Sequence, residues 1–178
     1  MVNLLTKILK TPKKLVTPRP ADARVQKVGR DIGKKIKKLF RGSLAVRLVT
    51  AGSTNACEQE LVALGNAFYD VERFGIHFVA SPRHADMIMV TGPVSRNMAE
   101  ALRKTYDATP TPKIVVAVGD DAIDGGIFKG SYAVCDGAQS VIPVDYQIAG
   151  DPPTPSVILS SLLSILSDVE EKGTHKKV

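Results

Sequence analysis

Apolar residues recur along the chain in two rhythms. Between residues 24 and 41 the rhythm is helical: Val25, Val28, Ile32, Ile36 and Leu39 fall three or four positions apart, and Arg24, Lys27, Arg30, Lys34, Lys35, Lys37 and Lys38 fill most of the remainder. This spacing predicts a basic amphipathic helix ending near Gly42. A shorter piece of the same kind, Leu4, Leu5, Ile8 and Leu9 with Lys7 and Lys10, comes before it, and Pro12, Pro18 and Pro20 interrupt the pattern between the two. From Ser43 onward the rhythm changes to short β-branched runs separated by helix-like segments. Strands are expected at residues 44–50, 76–80, 87–91, 113–118 and 141–147. Helices are expected at 56–69, 95–106 and from 155 to about 170, with a short helical piece near Cys135.

Strands that alternate with helices imply a parallel sheet covered on both faces, because parallel neighbours need crossover connections. The expected fold is α/β, a small flavodoxin-like parallel sandwich with a basic amphipathic N-terminal extension. Residues 1–42 read as the arm, 43–170 as the domain and 171–178 as a basic tail. In such a sheet the loops that follow the carboxyl ends of the strands carry function. Four loops fall there: residues 51–55, 92–96, 119–126 and 150–155.

Charge divides the chain at the same place. Residues 1–42 hold 13 Lys/Arg against 2 Asp/Glu, a net of +11, while the remainder holds 11 against 16, a net of −5. A basic arm on an acidic domain has two readings: a solvated charged face packed on its own domain, or docking at an anionic membrane surface through residues such as Lys34, Lys35, Lys37 and Lys38. Nucleic acid is not expected as a partner, since aromatic residues are few and no nucleic-acid fold signature accompanies the charge. The longest apolar run, residues 156–166, is too short and too serine-rich to span a bilayer. The N-terminus has neither the uninterrupted apolar stretch nor the small-residue site of a secretory signal. The expected location is cytoplasmic, peripheral on the inner face of the membrane. Two cysteines, Cys57 and Cys135, are too few for a disulfide framework.

The loops hold Ala51-Gly-Ser-Thr-Asn-Ala-Cys57-Glu-Gln-Glu60, Gly92-Pro-Val-Ser-Arg-Asn-Met98, Val118-Gly-Asp-Asp-Ala-Ile-Asp-Gly-Gly-Ile-Phe128 and Gly150-Asp-Pro-Pro-Thr-Pro155. Taken in order, this set resembles the 20 kDa or B subunit of NADH-quinone oxidoreductase and its homologues, the small subunits of membrane-bound group 4 [NiFe] hydrogenases. The resemblance covers about residues 43–167. It implies a subunit of a membrane-associated oxidoreductase complex, not catalytic alone, beside a large subunit like that of complex I or hydrogenase and beside membrane-arm subunits. It also implies that Gly92, Pro93, Arg96 and Asn97 form the loop next to the partner subunit, and that Gly125, Gly126 and Phe128 shape the turn after the third ligand.

In the hydrogenase branch the pattern reads Gly-Ser-Cys-Asn-x-Cys, Gly-x-Cys-Ala and Gly-Cys-Pro-Pro-x-Pro, and its four cysteines hold one [4Fe–4S] cluster. Here Thr54, Asp121 and Asp151 stand at three of those positions and Cys57 alone is kept. An iron–sulfur cubane is normally held by four thiolates, so no conventional cluster is expected, and the subunit's expected role is structural. Two alternatives stand: an electron-transfer subunit with a non-standard iron–sulfur or metal site, and a stand-alone flavodoxin-like binding protein. Asp120, Asp121, Asp124 and Asp151 with the Thr54 hydroxyl invite a hard cation such as Mg²⁺ or Ca²⁺, against the plainer reading of a hydrated, hydrogen-bonded plug. If Asp121 and Asp151 lie close together without a cation, like-charge repulsion raises one carboxyl pKa. No nucleotide-loop fingerprint is present. His77, His84 and His175 carry no signature of a catalytic partner for Cys57.

Overall fold

The computed structural model describes residues 23–175. The short amphipathic piece at Leu4 to Lys10, the proline-bearing linker and the last three residues lie outside the described range. A parallel five-stranded sheet forms the centre, with β1 Leu44–Thr50, β2 Ile76–Phe78, β3 Met87–Thr91, β4 Ile114–Val118 and β5 Tyr146–Ile148 in the order β2-β1-β3-β4-β5. This is the flavodoxin-like order. Around it lie α1 Ala23–Leu39, α2 Ala56–Ala63, α3 Arg96–Ala108, the single turn α4 Asp120–Asp124 and α5 Pro155–His175.

The sheet is covered on both sides along its two central strands, β3 and β4, which are almost wholly apolar. Every residue of β3 is buried, as are Val115 to Val118 of β4. Alternate side chains serve opposite faces. Leu44, Val46, Met87, Met89, Val116 and Val118 join α1, α2 and α5, while Val49, Ile88, Val90, Val115 and Ala117 join Leu102 of α3, Ala122 of α4 and Ile142.

The basic helix is an integral layer of this structure. Ile32 and Ile36 are completely buried, and Val25 is nearly so, in the same cluster as Ile158, Leu162 and Leu166 of α5. Full burial of each isoleucine is worth about 1.5–3 kcal/mol relative to exposure. Phe74 packs over α1 at Gly29, where a Cβ would meet its ring at 2.1 Å. On the outer side Lys35 and Lys38 both pair with Glu170 of α5, Lys35 at 2.6 Å. From residue 23 onward the boundary expected at residue 42 therefore divides no packing unit, and the basic tail expected from residue 171 continues as helix through His175.

Other elements differ from expectation for local reasons. The helix expected over 56–69 stops at Ala63, and the chain turns through residues 64–70, where the Asn66 carboxamide accepts the Phe68 and Tyr69 amides at 2.9 and 3.1 Å. No helix forms at Cys135; Val134 instead bridges to Ser95, and the nearest helical turn is Ala138–Ser140. The last strand is only Tyr146–Ile148, because Pro143 within the expected 141–147 run has no amide to offer a ladder.

Candidate functional site

The four loops at the carboxyl edge lock together through their backbones. The Ser95 amide donates to the Ala51 carbonyl at 2.9 Å, and the Asp120 amide donates to the Gly150 carbonyl at 3.0 Å. In return the Asp120 carboxylate accepts the Gly150 amide at 2.8 Å. The first loop is fixed from within by Glu58, a buried carboxylate that accepts from the Ser53 hydroxyl at 2.6 Å and from the Thr91 hydroxyl. Gly92 sits at φ +82, and a Cβ there would lie 2.6 Å from the Ser53 amide nitrogen, so only glycine lets the first and second loops approach this closely.

Cys57 lies in the first turn of α2 and is 5% exposed. A Cβ at Gly119, whose φ is +92, would stand 2.5 Å from its Sγ, so the glycine is the floor on which the sulfur rests. Burial pushes the thiol pKa up to about 11, and the negative charges of Glu58, Asp121, Asp151 and Asp120 push the same way. The sulfur is therefore held as a thiol at neutral pH. Asp121, at the third ligand position, is also buried, and its Oδ1 has no hydrogen-bond partner among the described residues. Its pKa is raised first by burial and then by Asp151 and Asp120. The like-charge effect expected from the sequence is present, with desolvation ahead of it.

The remaining ligand positions face outward. Thr54 and Asp151 are both exposed. Asp124 points away to the Gly126 amide at 3.1 Å and to the Lys129 ammonium at 3.0 Å, contacts that hold its pKa below the ordinary carboxylate value. The hard-cation set of Asp120, Asp121, Asp124 and Asp151 is thus not assembled. Among the described residues no three His, Cys, Asp or Glu side chains converge on a point where a metal ion could sit. The reason is that Asp120 and Asp124 are each engaged by backbone or lysine partners of their own.

The second loop and the segment 127–137, which follows the third, form one raised unit. Arg96, Cys135 and Gly137 amides donate in turn to the carbonyls of Ala133, Val94 and Pro93 at 2.9, 2.8 and 3.1 Å. Gly92 and Pro93 are buried beneath this unit and shape it, whereas Arg96 and Asn97 stand at its surface. The Arg96 guanidinium donates to the Tyr132 carbonyl at 2.5 Å. Two exposed apolar side chains stand on this unit, Tyr132 at 90% and Ile127 at 80% exposure. The sequence reading missed both; the only signal available was a bulky apolar residue in an otherwise Gly/Asp-rich turn. Lys34, Lys35, Lys37 and Lys38 lie on the outer side of α1, away from these loops, and Lys34 pairs with Asp31 at 3.1 Å.

Tested against a [4Fe–4S] group, this donor set does not fit. A cubane normally takes four thiolates, and the pocket supplies one buried thiol with a raised pKa, one buried carboxyl, and a hydroxyl and a carboxylate turned to solvent. Cys135 belongs to the other face of the sheet, packed against the cluster of Val90, Leu102 and Ala122.

Comparison with known proteins agrees with the loop pattern. Residues 55–165 match the family model of the NADH ubiquinone oxidoreductase 20 kDa subunit. An uncharacterized protein of Methanocaldococcus jannaschii is 47% identical over 73% of this chain and 88% of its own length. The B subunit of the NADH-quinone oxidoreductase of Bacteroides thetaiotaomicron is 45% identical over 70% of this chain, and formate hydrogenlyase subunit 7 of Escherichia coli is 37% identical over 87%. The chain spans 66% and 59% of the length of those two. Among solved structures, a chain of the membrane-bound sulfane sulfur reductase, an archaeal respiratory membrane complex, superposes with a TM-score of 0.66 at 33% identity, over 78% of this chain and 75% of that one. With its strand order and its four loops, the chain belongs to the NADH ubiquinone oxidoreductase 20 kDa subunit family.

Proposed function

We propose that this chain is the small subunit of a membrane-associated complex related to complex I and the energy-converting hydrogenases, and that it serves there as a structural member without a [4Fe–4S] cluster. One observation carries the reading: the loops keep the interlocked backbone of an electron-carrier pocket, down to Gly119 beneath Cys57, while three of the four sulfur positions hold Thr54, Asp121 and Asp151. Shape is retained where sulfur is not, which favours assembly over electron transfer.

The partner is a large subunit of the complex I or hydrogenase kind. It docks on the raised unit through Arg96 and Asn97 with Tyr132 and Ile127, since exposed tyrosine and arginine over a rigid base make strong anchoring points. Membrane-arm subunits complete the assembly. No described helix is long and apolar enough to cross a bilayer. Contact with an anionic membrane surface on the cytoplasmic side would use Lys34, Lys35, Lys37 and Lys38 by charge alone, because the apolar stripe of α1 faces the core.

Anaerobic reconstitution of the full chain with ferrous iron and sulfide tests the proposal. The expected result is a cluster content below about a tenth per chain, with no cubane signal by paramagnetic resonance. A triple variant, Thr54→Cys, Asp121→Cys and Asp151→Cys, is expected to gain iron and acid-labile sulfide. A stoichiometric cubane in the unaltered chain would overturn the structural role, and purification from its source without a large subunit would overturn the subunit role.

A further inference from the structure

The sheet splits along one side, and none of the described residues adds a strand in the split. The ladder between β1 and β2 ends at Val46 and Phe78, with the Val79 amide donating to the Val46 carbonyl at 2.9 Å. Beyond that point β2 turns away, while β1 runs on to Thr50 paired only with β3. The direction of the free groups follows from their neighbours. Leu44 donates toward β2, to the Gly75 carbonyl, whereas Ala45 exchanges both of its backbone bonds with Asp86 on the β3 side. Alternate residues turn their amide and carbonyl to the same side of a strand, so Leu48 and Thr50 present theirs to the split.

The cleft so formed holds about 500 Å³. Its walls include Arg47, Leu48, Thr50, Val62, Phe78 and Val79. Val62 and Phe78 are among the few large apolar side chains that the described residues leave exposed, at 66% and 39%. Arg47 also lines the cleft, its Nε is buried, and the guanidinium has no hydrogen bond or ion pair among the described residues. A buried charged donor without an acceptor costs free energy, and an exposed strand edge without proline, lysine or bulge invites a further strand.

We propose that this cleft receives an extended segment, with an Asp or Glu in it, from a partner subunit; the segment adds to β1 as an extra strand and places its carboxylate on Arg47. The inference rests on the subunit reading above and names a second contact, distinct from the raised loop unit. Backbone groups on Leu48 and Thr50 supply the pairing, Val62 and Phe78 select apolar side chains, and Arg47 selects the charge. Other occupants fit less well. Residues 1–21 of this chain contain no acidic side chain, and Asp22 directly adjoins α1. Edge-to-edge pairing of two copies of β1 would bring two Arg47 side chains near each other, which is repulsive.

Two measurements on the full chain, free and in its purified complex, decide the matter. Amide hydrogen exchange over residues 47–51 is expected to slow about tenfold or more on assembly, at Leu48 and Thr50 rather than at Val49. p-Benzoylphenylalanine placed at Val62 is expected to cross-link a partner segment that has Asp or Glu within a few residues of the attachment. Arg47→Gln should lower that yield several-fold, and Arg47→Lys should retain part of it. If exchange is unchanged in a complex whose large subunit is still bound, the cleft proposal falls and the subunit reading stands. Cross-linking to residues 1–22 or to lipid also overturns the cleft proposal, whereas a chain that purifies alone removes both.

Discussion

The first helix and the loop edge are both conspicuous in the sequence, yet their side chains meet opposite fates. The lysine-rich helix has the composition of a detached arm and is instead bolted to the core by Ile32 and Ile36. The loop edge has the motifs of a ligand pocket, and its frame is intact, but the groups inside it are one buried thiol and one buried carboxyl. Periodicity tells which face of a helix is apolar and says nothing about what that face meets. Ordered loop motifs tell how the backbone runs and leave open which atoms it holds.

The strongest test of this contrast is in the helix. Ile36→Ala is expected to cost about 2–5 kcal/mol in urea denaturation, while Lys37→Ala, one position away and exposed, should stay within about 0.5 kcal/mol. An arm independent of the core would show a small effect at both. Next in size is Gly119→Ala, which places a methyl against Cys57 Sγ at a positive φ. A loss of about 1–3 kcal/mol is expected. The double variant with Cys57→Ala should recover the steric share and leave the backbone share.

The smallest effects are in pH, and they run in opposite directions in the two regions. Glu170, tied to Lys35 and Lys38, has its pKa lowered from 4.5 to about 2, so its contribution is present above 4.5 and is lost as pH falls through about 2. Asp121 has its pKa raised from 3.8 by burial and by its acidic neighbours, so its contribution is complete below 3.8 and is lost as pH rises through the higher folded value. Asp121→Asn is therefore expected to raise the denaturation midpoint at neutral pH, and Glu170→Gln to lower it. The Cys57 thiol should resist alkylation at neutral pH and should show thiolate absorbance only as pH approaches about 11.

Much of the architecture was legible because β3 and β4 are continuous apolar runs and the segments between them have helical spacing. The shortened ends were less legible. Residues 64–70 keep apolar side chains within a turn that one asparagine organises, and Pro143 interrupts what otherwise reads as a strand. At the site, the motif order brought Cys57, Asp121 and Asp151 to one edge of the sheet, and Coulomb coupling among them follows. Which of them would be buried was not readable, since that depends on Gly119 and Gly126 making room from separate turns. The destination of the α1 stripe was equally hidden, because its partner α5 lies at the far end of the chain.

The first and last helices lie side by side and point the same way: α5 leaves the fourth loop and runs down the sheet, and α1 ends where Gly42 meets Gly75 at the foot of β2. The polypeptide therefore enters α1 from the end of the molecule that carries Cys57. Lys34, Lys35, Lys37 and Lys38 therefore sit toward the opposite end of the sheet from the four loops, so a contact made through them would turn those loops away from the surface touched.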